Sequence, residues 1–451
     1  MTQCSAQTTL DFGFNLPLVI RSDAPELSCD SGVVLLRQLD ESLGLTRDLA
    51  RLLPDKRRAD RVIHDREEQL RQRVYQIALG YEDCNDANHL RHDPLLKAAC
   101  GRKPQDRIGL SSQPTLSRFE NGMSGLAVGR LLRALEQQWL DSLPLDQAVV
   151  ILDIDSTDDP THGRQQLTFF HGFFDHYVYH PVVIFDGDGQ LVTAILRPGN
   201  QHASRGARGL LRRLIRKIRA RCPDAAVVVR ADSGFSVPRV LRELERLDQE
   251  LGGVDYLMGK ARNPVLERRL APLMAAVLEE RVGSEKLRRF DDFGYSAKAW
   301  HRRRRIIAKA EVTWAGPNPR FVITSIRGFD PEDLYRAYCE RGQSENYLKD
   351  LKRALKADRL SCHRFRANFL RLLLHAMAYR LLFALRRLAG QVQPELAKLQ
   401  FDTLRLRLLK VAAVVKQSVR RILVQLPASF PLSETFHRTA QLAALPPPTL
   451  S

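Results

Sequence analysis

Tyr338, Arg341, Glu345 and Lys352 lie in the stretch PEDLYRAYCERGQSENYLKDLKRALK at spacings of three, four and seven residues. On a helix advancing about 100° per residue, the four point within roughly 40° of one another. One stripe then carries a carboxylate flanked by two cations and a phenol. Carboxylate oxygens are hard donors suited to a divalent metal, and Arg and Lys bind phosphate. Together they suit holding a metal and a phosphodiester side by side. Taken singly, each residue also fits a solvated salt-bridge face.

Further acids have fitting settings. In ILDIDST, Asp153 and Asp155 alternate with apolar residues, so both face one side of a strand. In VVVRADSGF, Asp232 lies just past an apolar strand, where α/β sheets bind ligands. If these two strands are neighbours, their carboxylates converge, and the stripe helix can bring Glu345 over them. Three carboxylates packed together need a countercharge. Two Mg²⁺ ions, or Mn²⁺, would supply it and could activate a water or 3′-hydroxyl for in-line phosphoryl displacement. Without Cys/His ligand clusters, zinc fits less well. Whether Asp153 or Asp155 is the first ligand stays open on this reasoning.

The elements that must position these groups follow from periodicity. Residues 1–145 read as a helical region, with VLLRQLDESLGLTRDLARLL, DREEQLRQRVYQIALGY and GLAVGRLLRALEQQWL in the helical period. From Asp146 the texture changes. AVVILDID is a strand, and HPVVIFDGDGQLVTAIL is two strands joined at Asp186–Gly189. GLLRRLIRKIRARC is a basic helix, AAVVVRADSGF a strand, VPRVLRELERLDQEL a helix and VDYLMGKAR a strand. The expected fold class is α/β: a mixed sheet, antiparallel first and parallel later, covered by helices. Residues 146–261 and 329–366 form this core, and 262–328 interrupt it as a mostly β insertion. Residues 367–451 read as a helical C-terminal region, including FDTLRLRLLKVAAVVKQSVRRIL, with a disordered tail LAALPPPTLS.

The net charge of +18 points to a polyanionic partner, nucleic acid or an anionic membrane. Membrane is the weaker option. No signal-peptide pattern opens the chain, and the apolar stretch Phe369–Leu388 contains Arg371, His375, Arg380, Arg386 and Arg387. Seven scattered cysteines without a C-x-x-C pair indicate neither a zinc ribbon nor a disulfide framework. A reducing cytoplasm is the expected compartment.

LDIDSTDDPTHG, RADSGF and YCERGQSENYLKDLKRAL, in that order, resemble the DDE transposases of bacterial insertion sequences. The similarity is greatest to the thirteen-eighty group, whose Glu-bearing helix reads Tyr-x2-Arg-x3-Glu-x6-Lys. It covers residues 148–366 best. It implies a ribonuclease-H-like core interrupted by a β-rich insertion. It also implies an acidic triad of Asp155, Asp232 and Glu345 holding two Mg²⁺, with Asp155 preferred because it directly precedes the hydroxyl pair Ser156-Thr157. Tyr338, Arg341 and Lys352 would contact DNA phosphates near the scissile bond. The implied activity is cleavage at terminal inverted repeats and joining of the 3′ ends to target DNA, by a homodimer bridging two transposon ends near the nucleoid. Rival readings are a ribonuclease-H-fold nuclease that cuts without joining, and a transposase-derived DNA-binding protein that no longer catalyses.

Phosphate contacts supply most of the affinity of such a protein for DNA. The expected candidates are Arg302, Arg303, Arg304 and Arg305, then Arg212, Arg213, Arg216 and Lys217, then Arg364 and Arg366. Trp300, beside the basic run, could stack on an unpaired or flipped base, with core packing the favoured alternative. SSQPTLSRFENG resembles the start of a recognition helix with Arg118 exposed. On that reading end recognition lies in the N-terminal region; a capped polar helix start explains the same residues without DNA contact.

Overall fold

The structure, a computed structural model, describes residues 7–10, 16, 18–281, 283 and 286–444. The chain divides into two compact units, one of residues up to 120 together with those from 381, the other centred on 121–380.

The second unit is a mixed α/β structure around a nine-stranded mixed sheet. Its strands are β1 (Val149–Ser156), β2 (Val182–Asp186), β3 (Leu191–Ile195), β4 (Ala226–Ala231), β5 (Val254–Lys260), β6 (Leu287–Tyr295), β7 (Arg304–Thr313) and β8 (Arg320–Thr324). The order is β6-β7-β8-β5-β4-β1-β2-β3, and Gly316–Pro317 pairs with β7 off this path. β1, β2 and β3 are antiparallel neighbours, whereas β4 runs parallel to β1 and β5 parallel to β4. Two-sided cover explains why these central strands read as continuous apolar runs. Helix α1 (Gly125–Asp141) precedes β1, α2 (Ala207–Arg221) joins β3 to β4, and α3 (Pro238–Leu251) joins β4 to β5. α2 buries Leu210, Leu211, Leu214, Ile215 and Ile218, and its cations lie on the opposite face. These residues share one core with Leu152, Ile154, Val229, Leu244 and Met258.

Residues 262–328 differ from the expected β insertion in two ways. They open with a 17-residue helix, α4 (Pro264–Glu280), capped by the Asn263 side chain. The strands that follow do not form a separate module: β8 pairs with the outer edge of β5, and β7 and β6 continue the same sheet. An unpaired sheet edge offers a row of donors and acceptors, and the β-branched run RFVIT satisfies it.

The C-terminal region is not all helix. Ala413–Gln417 and Ile422–Gln425 form a β-hairpin closed by the Ser418 N–H on the Arg421 carbonyl, 2.9 Å. Its first strand also pairs with Leu27–Ser28. The β-branched residues Val414, Val415, Ile422 and Val424 favour this pairing over the helix their spacing allowed. Among the described residues, those up to 120 and those from 381 share one compact unit, and α1 belongs to the other. Helix α7 (Phe365–Val392) is long and apolar enough to cross a membrane, but its apolar window is 89% buried within the protein. Arg380 inside it donates to the carbonyls of Leu191 and Val192. Among the described residues all cysteines are free thiols. The tail from Leu445 lies outside the described residues.

Candidate active site

β1 and β4 lie side by side in register, with Asp153 opposite Arg230 and Ile154 opposite Ala231. One step further, Asp155 and Asp232 sit together at the carboxyl edge of the sheet. The Asp155 carboxylate accepts the Ser156 N–H at 2.8 Å and an Arg341 N–H at 2.9 Å. Burial pushes its carboxyl up to about 6; Arg341 opposes this, and the charges of Asp232 and Glu345 add to it. Asp232 accepts the Gly234 N–H at 2.9 Å, which shapes the turn after β4.

Asp153 faces the same side but is committed elsewhere. It is 2% exposed, and both its oxygens accept from Arg230, at 2.6 and 2.7 Å. The same guanidinium reaches the Ala337 carbonyl at 2.9 Å and Glu340 at 3.2 Å. Arg230 thus ties the sheet to the segment carrying Tyr338 and Arg341.

That segment is not the one straight helix the spacing predicts. α5 (Pro331–Cys339), capped by Asp330, ends before Arg341, and α6 (Gly342–Lys349) follows. Tighter i→i+3 bonds join them: Arg341 N–H to Tyr338, Gln343 to Glu340, Ser344 to Arg341. Residues Asp350–Ala354 then widen into a π-helical turn, which rotates Lys352 off an ideal stripe. Tyr338 is half-buried, and Glu345 is exposed on α6. Lys352 bonds Thr157 Oγ1 at 3.1 Å and Asp158 Oδ1 and carbonyl at 2.8 Å. Both cations assigned to phosphate are therefore paired with acids of the edge itself.

Gly259, near the end of β5, is a residue that sequence reasoning passed over. A Cβ there would stand 2.7 Å from the Tyr338 hydroxyl and 3.1 Å from the Ser233 nitrogen. Its lack of a side chain lets the phenol settle against the Asp232 turn. Gly259→Ala should lower DNA-processing activity roughly tenfold, the scale of a misplaced active-site group. Because the phenolic oxygen makes the closest contact, Gly259→Ala with Tyr338→Phe should be little worse than Tyr338→Phe alone. Initial rates of the four proteins check this, and additive losses would refute the contact.

Among the described residues no three His, Cys, Asp or Glu side chains are grouped closely enough to hold a metal ion. The donor chemistry nonetheless fits a hard divalent cation: adjacent carboxylates whose mutual repulsion is balanced by Arg341 alone among the cations bonded to Asp155. Glu345, exposed, would have to turn inward to complete the set.

The remaining candidates divide by burial. Arg304 is buried and grips Glu245 through two bonds of 2.6 and 2.9 Å. Arg305 pairs with Asp292 and donates to the Ile326 and Phe329 carbonyls. Only Arg302 and Arg303 of the run are exposed, and Arg302 lies 3.1 Å from Glu245. Arg212, Arg213 and Arg216 pair with Glu243, Glu136 and Glu250, and Lys217 donates to Gln137. Trp300 is 9% exposed, packed edge-on against Tyr295 and flanked by Arg304 and Lys260. Its indole is core, so of the two readings of Trp300, packing and stacking on a base, burial favours packing. Trp314, by contrast, is 88% exposed. It follows directly on the last residue of β7, Thr313. Arg118 is exposed on the helix Gln113–Gly122, donating to Thr115.

The family model described as "Transposase DDE domain group 1" matches residues 11–447. A solved structure of a piggyBac transposase synaptic complex with hairpin DNA is similar over 84% of this chain and 79% of its own, at 11% identity and a TM-score of 0.44. No curated protein matches the chain. The family match takes in nearly every described residue of both units, and on it the chain belongs to the DDE transposases, domain group 1.

Proposed function

We propose that the protein cuts DNA at the terminal inverted repeats of an insertion sequence and joins the freed 3′ ends to target DNA. The observation that carries this reading is the placement of Asp155 and Asp232 side by side on neighbouring parallel strands, with Arg341 bonded to the first and the charge of Glu345 reaching it. The order β3-β2-β1-β4-β5, antiparallel then parallel, supports a ribonuclease-H-like core.

Asp155, Asp232 and Glu345 would hold two Mg²⁺ or Mn²⁺ ions. The chemistry such a bound pair supplies is activation of a water or 3′-hydroxyl and neutralisation of the leaving oxygen. Arg341 holds Asp155 ionised and in place until the set is complete. Tyr338, on Gly259, and Lys352, on Asp158, frame the edge where the DNA backbone lies. We assign the Tyr338-Arg341-Glu345-Lys352 set to the signature of the thirteen-eighty group. The protein acts in the cytoplasm as a homodimer bridging two ends, and the N-terminal region through Arg118 contributes to end recognition.

The test is metal-dependent nicking of end-labelled repeat DNA, followed by strand transfer with precut ends. Asp232→Ala and Glu345→Gln should abolish nicking while DNA binding persists. Nicking at the wild-type rate in either variant would reject the site. Cutting without any joined product would make the protein a nuclease only. A hairpin-sized product is expected if the element leaves through hairpin ends, and its absence rules that route out.

A further inference from the structure

Between β1 and β2 the chain makes an excursion, Thr157–Pro181, on the edge that carries Asp155. It folds as a small sheet in which His176–Tyr179 pairs on one side with Asp159–Pro160 and on the other with Phe169–His171. The hairpin is tied to the site, because His176 Nε2 lies 3.4 Å from the Asp158 carboxylate that also binds Lys352. Its turn is closed by the Phe174 and Asp175 N–H groups on the His171 carbonyl, with Asp175 left-handed at φ 58°.

The turn sorts its aromatic residues. Phe174 points inward, with ring centres 4.8 Å from His171 and 5.6 Å from His180. Phe173 is 85% exposed, and Phe170 and Tyr177, also exposed, meet edge to face at 5.9 Å. Three large rings in water on a short hairpin forgo burial that aromatic side chains otherwise supply. Cations stand on the segment it is bonded to. The Arg164 carbonyl accepts from His363 Nδ1 at 2.6 Å, the Gln166 N–H donates to the His363 carbonyl at 2.9 Å, and Arg164, Arg364 and Arg366 are exposed. Rings that accept any base face, beside cations that follow a backbone, are the chemistry of a single-strand nucleic-acid site.

We propose that the Phe170, Phe173 and Tyr177 face stacks on unpaired bases of the DNA strand whose phosphodiester lies at Asp155. This rests on the transposase reading and adds to it a site for unpaired DNA outside the acidic edge. The excursion that bears the hairpin leaves the sheet at Thr157, two residues after Asp155, which puts it on the edge where the scissile bond would lie.

The experiment uses the full chain and two probes, labelled oligo(dT) and a blunt duplex, read by fluorescence anisotropy. Phe173→Ala with Tyr177→Ala should weaken oligo(dT) binding about tenfold or more and leave duplex binding within about twofold, since the duplex is held through phosphates. Phe173→Trp with Tyr177→Phe should restore it. Equal losses on both probes, or none on oligo(dT), would overturn the proposal. So would a change of oligomeric state by light scattering without a change in single-strand preference, which would make the face a contact between copies. Nicking of repeat DNA by the wild-type chain is scored separately. If nicking is absent but the ring-dependent preference remains, the transposase reading fails and the stacking site stands. If nicking is present and the rings are indifferent, the reverse holds.

Discussion

Asp155→Asn should abolish metal-dependent DNA cleavage and at the same time raise the stability of the metal-free protein. On the proposed reading Asp155 is a metal ligand, and losing such a ligand costs several kcal/mol of transition-state stabilisation, hence about a thousandfold or more in rate. The stability gain follows from burial, which pushes the Asp155 carboxyl up to about 6. An acid raised from about 4 when unfolded binds its proton more tightly in the folded state. Its contribution to stability is therefore full below about pH 4 and is lost as the pH rises through about 6. By pH 7 the loss is on the order of 3 kcal/mol, and asparagine, neutral throughout, avoids it. Urea unfolding in EDTA should show the variant ahead at pH 7 and the gap narrowing toward pH 5. Added Mg²⁺ should reverse the order, because only the wild type gains from binding. A variant less stable than wild type at pH 7 in EDTA would mean the carboxylate is not held under strain. The same proton competes with the metal, so the Mg²⁺ needed for half-maximal nicking should climb about tenfold per unit below pH 6.

The second large effect is on the fold. Arg230→Met should destabilise the second unit by about 3–5 kcal/mol, because it leaves the Asp153 charge buried without its partner. It also removes a donor from the Ala337 carbonyl, loosening the tie between the sheet and α5. Asp153→Leu added to Arg230→Met should recover most of the loss, since well-packed apolar pairs often match buried ion pairs. The unfolding transition of the second unit is the relevant readout, given a chain of two units. A cost below about 1 kcal/mol for the single variant would show that Asp153 finds another partner.

The core strands and helices were legible because their signal is local. AVVILDID, VVVRA and the Asp186–Gly189 turn state their conformations through β-branching and turn chemistry alone, and β1, β2, β3, β4 and β5 lie where those runs fall. The stripe was legible in composition but not in shape. Nothing in the spacing of Tyr338, Arg341, Glu345 and Lys352 announces the tightened turn at Arg341 or the π turn at 350–354. The hairpin at 413–425 was misread because amphipathic spacing admits a helix, and its partner strand, Leu27–Ser28, lies at the other end of the chain.

Charges and rings show the division most plainly. Asp153 and Asp155 are equivalent in ILDIDST, both on one face of β1. What separates them is Arg230, 77 residues away, which claims the first and leaves the second to the edge. Trp300 and Trp314 both adjoin the HRRRRIIAKAEVT run, and only packing, against Tyr295, Lys260 and Arg304 for the first, puts one in the core and leaves the other exposed. The sequence by itself determined which chemical groups exist and in what order along strand and helix, because backbone periodicity acts over a few residues. Tertiary structure decided which of those groups are desolvated and what each is paired with. Charge pairing and burial depend on distance in space, and strand order brings together residues that the chain keeps far apart.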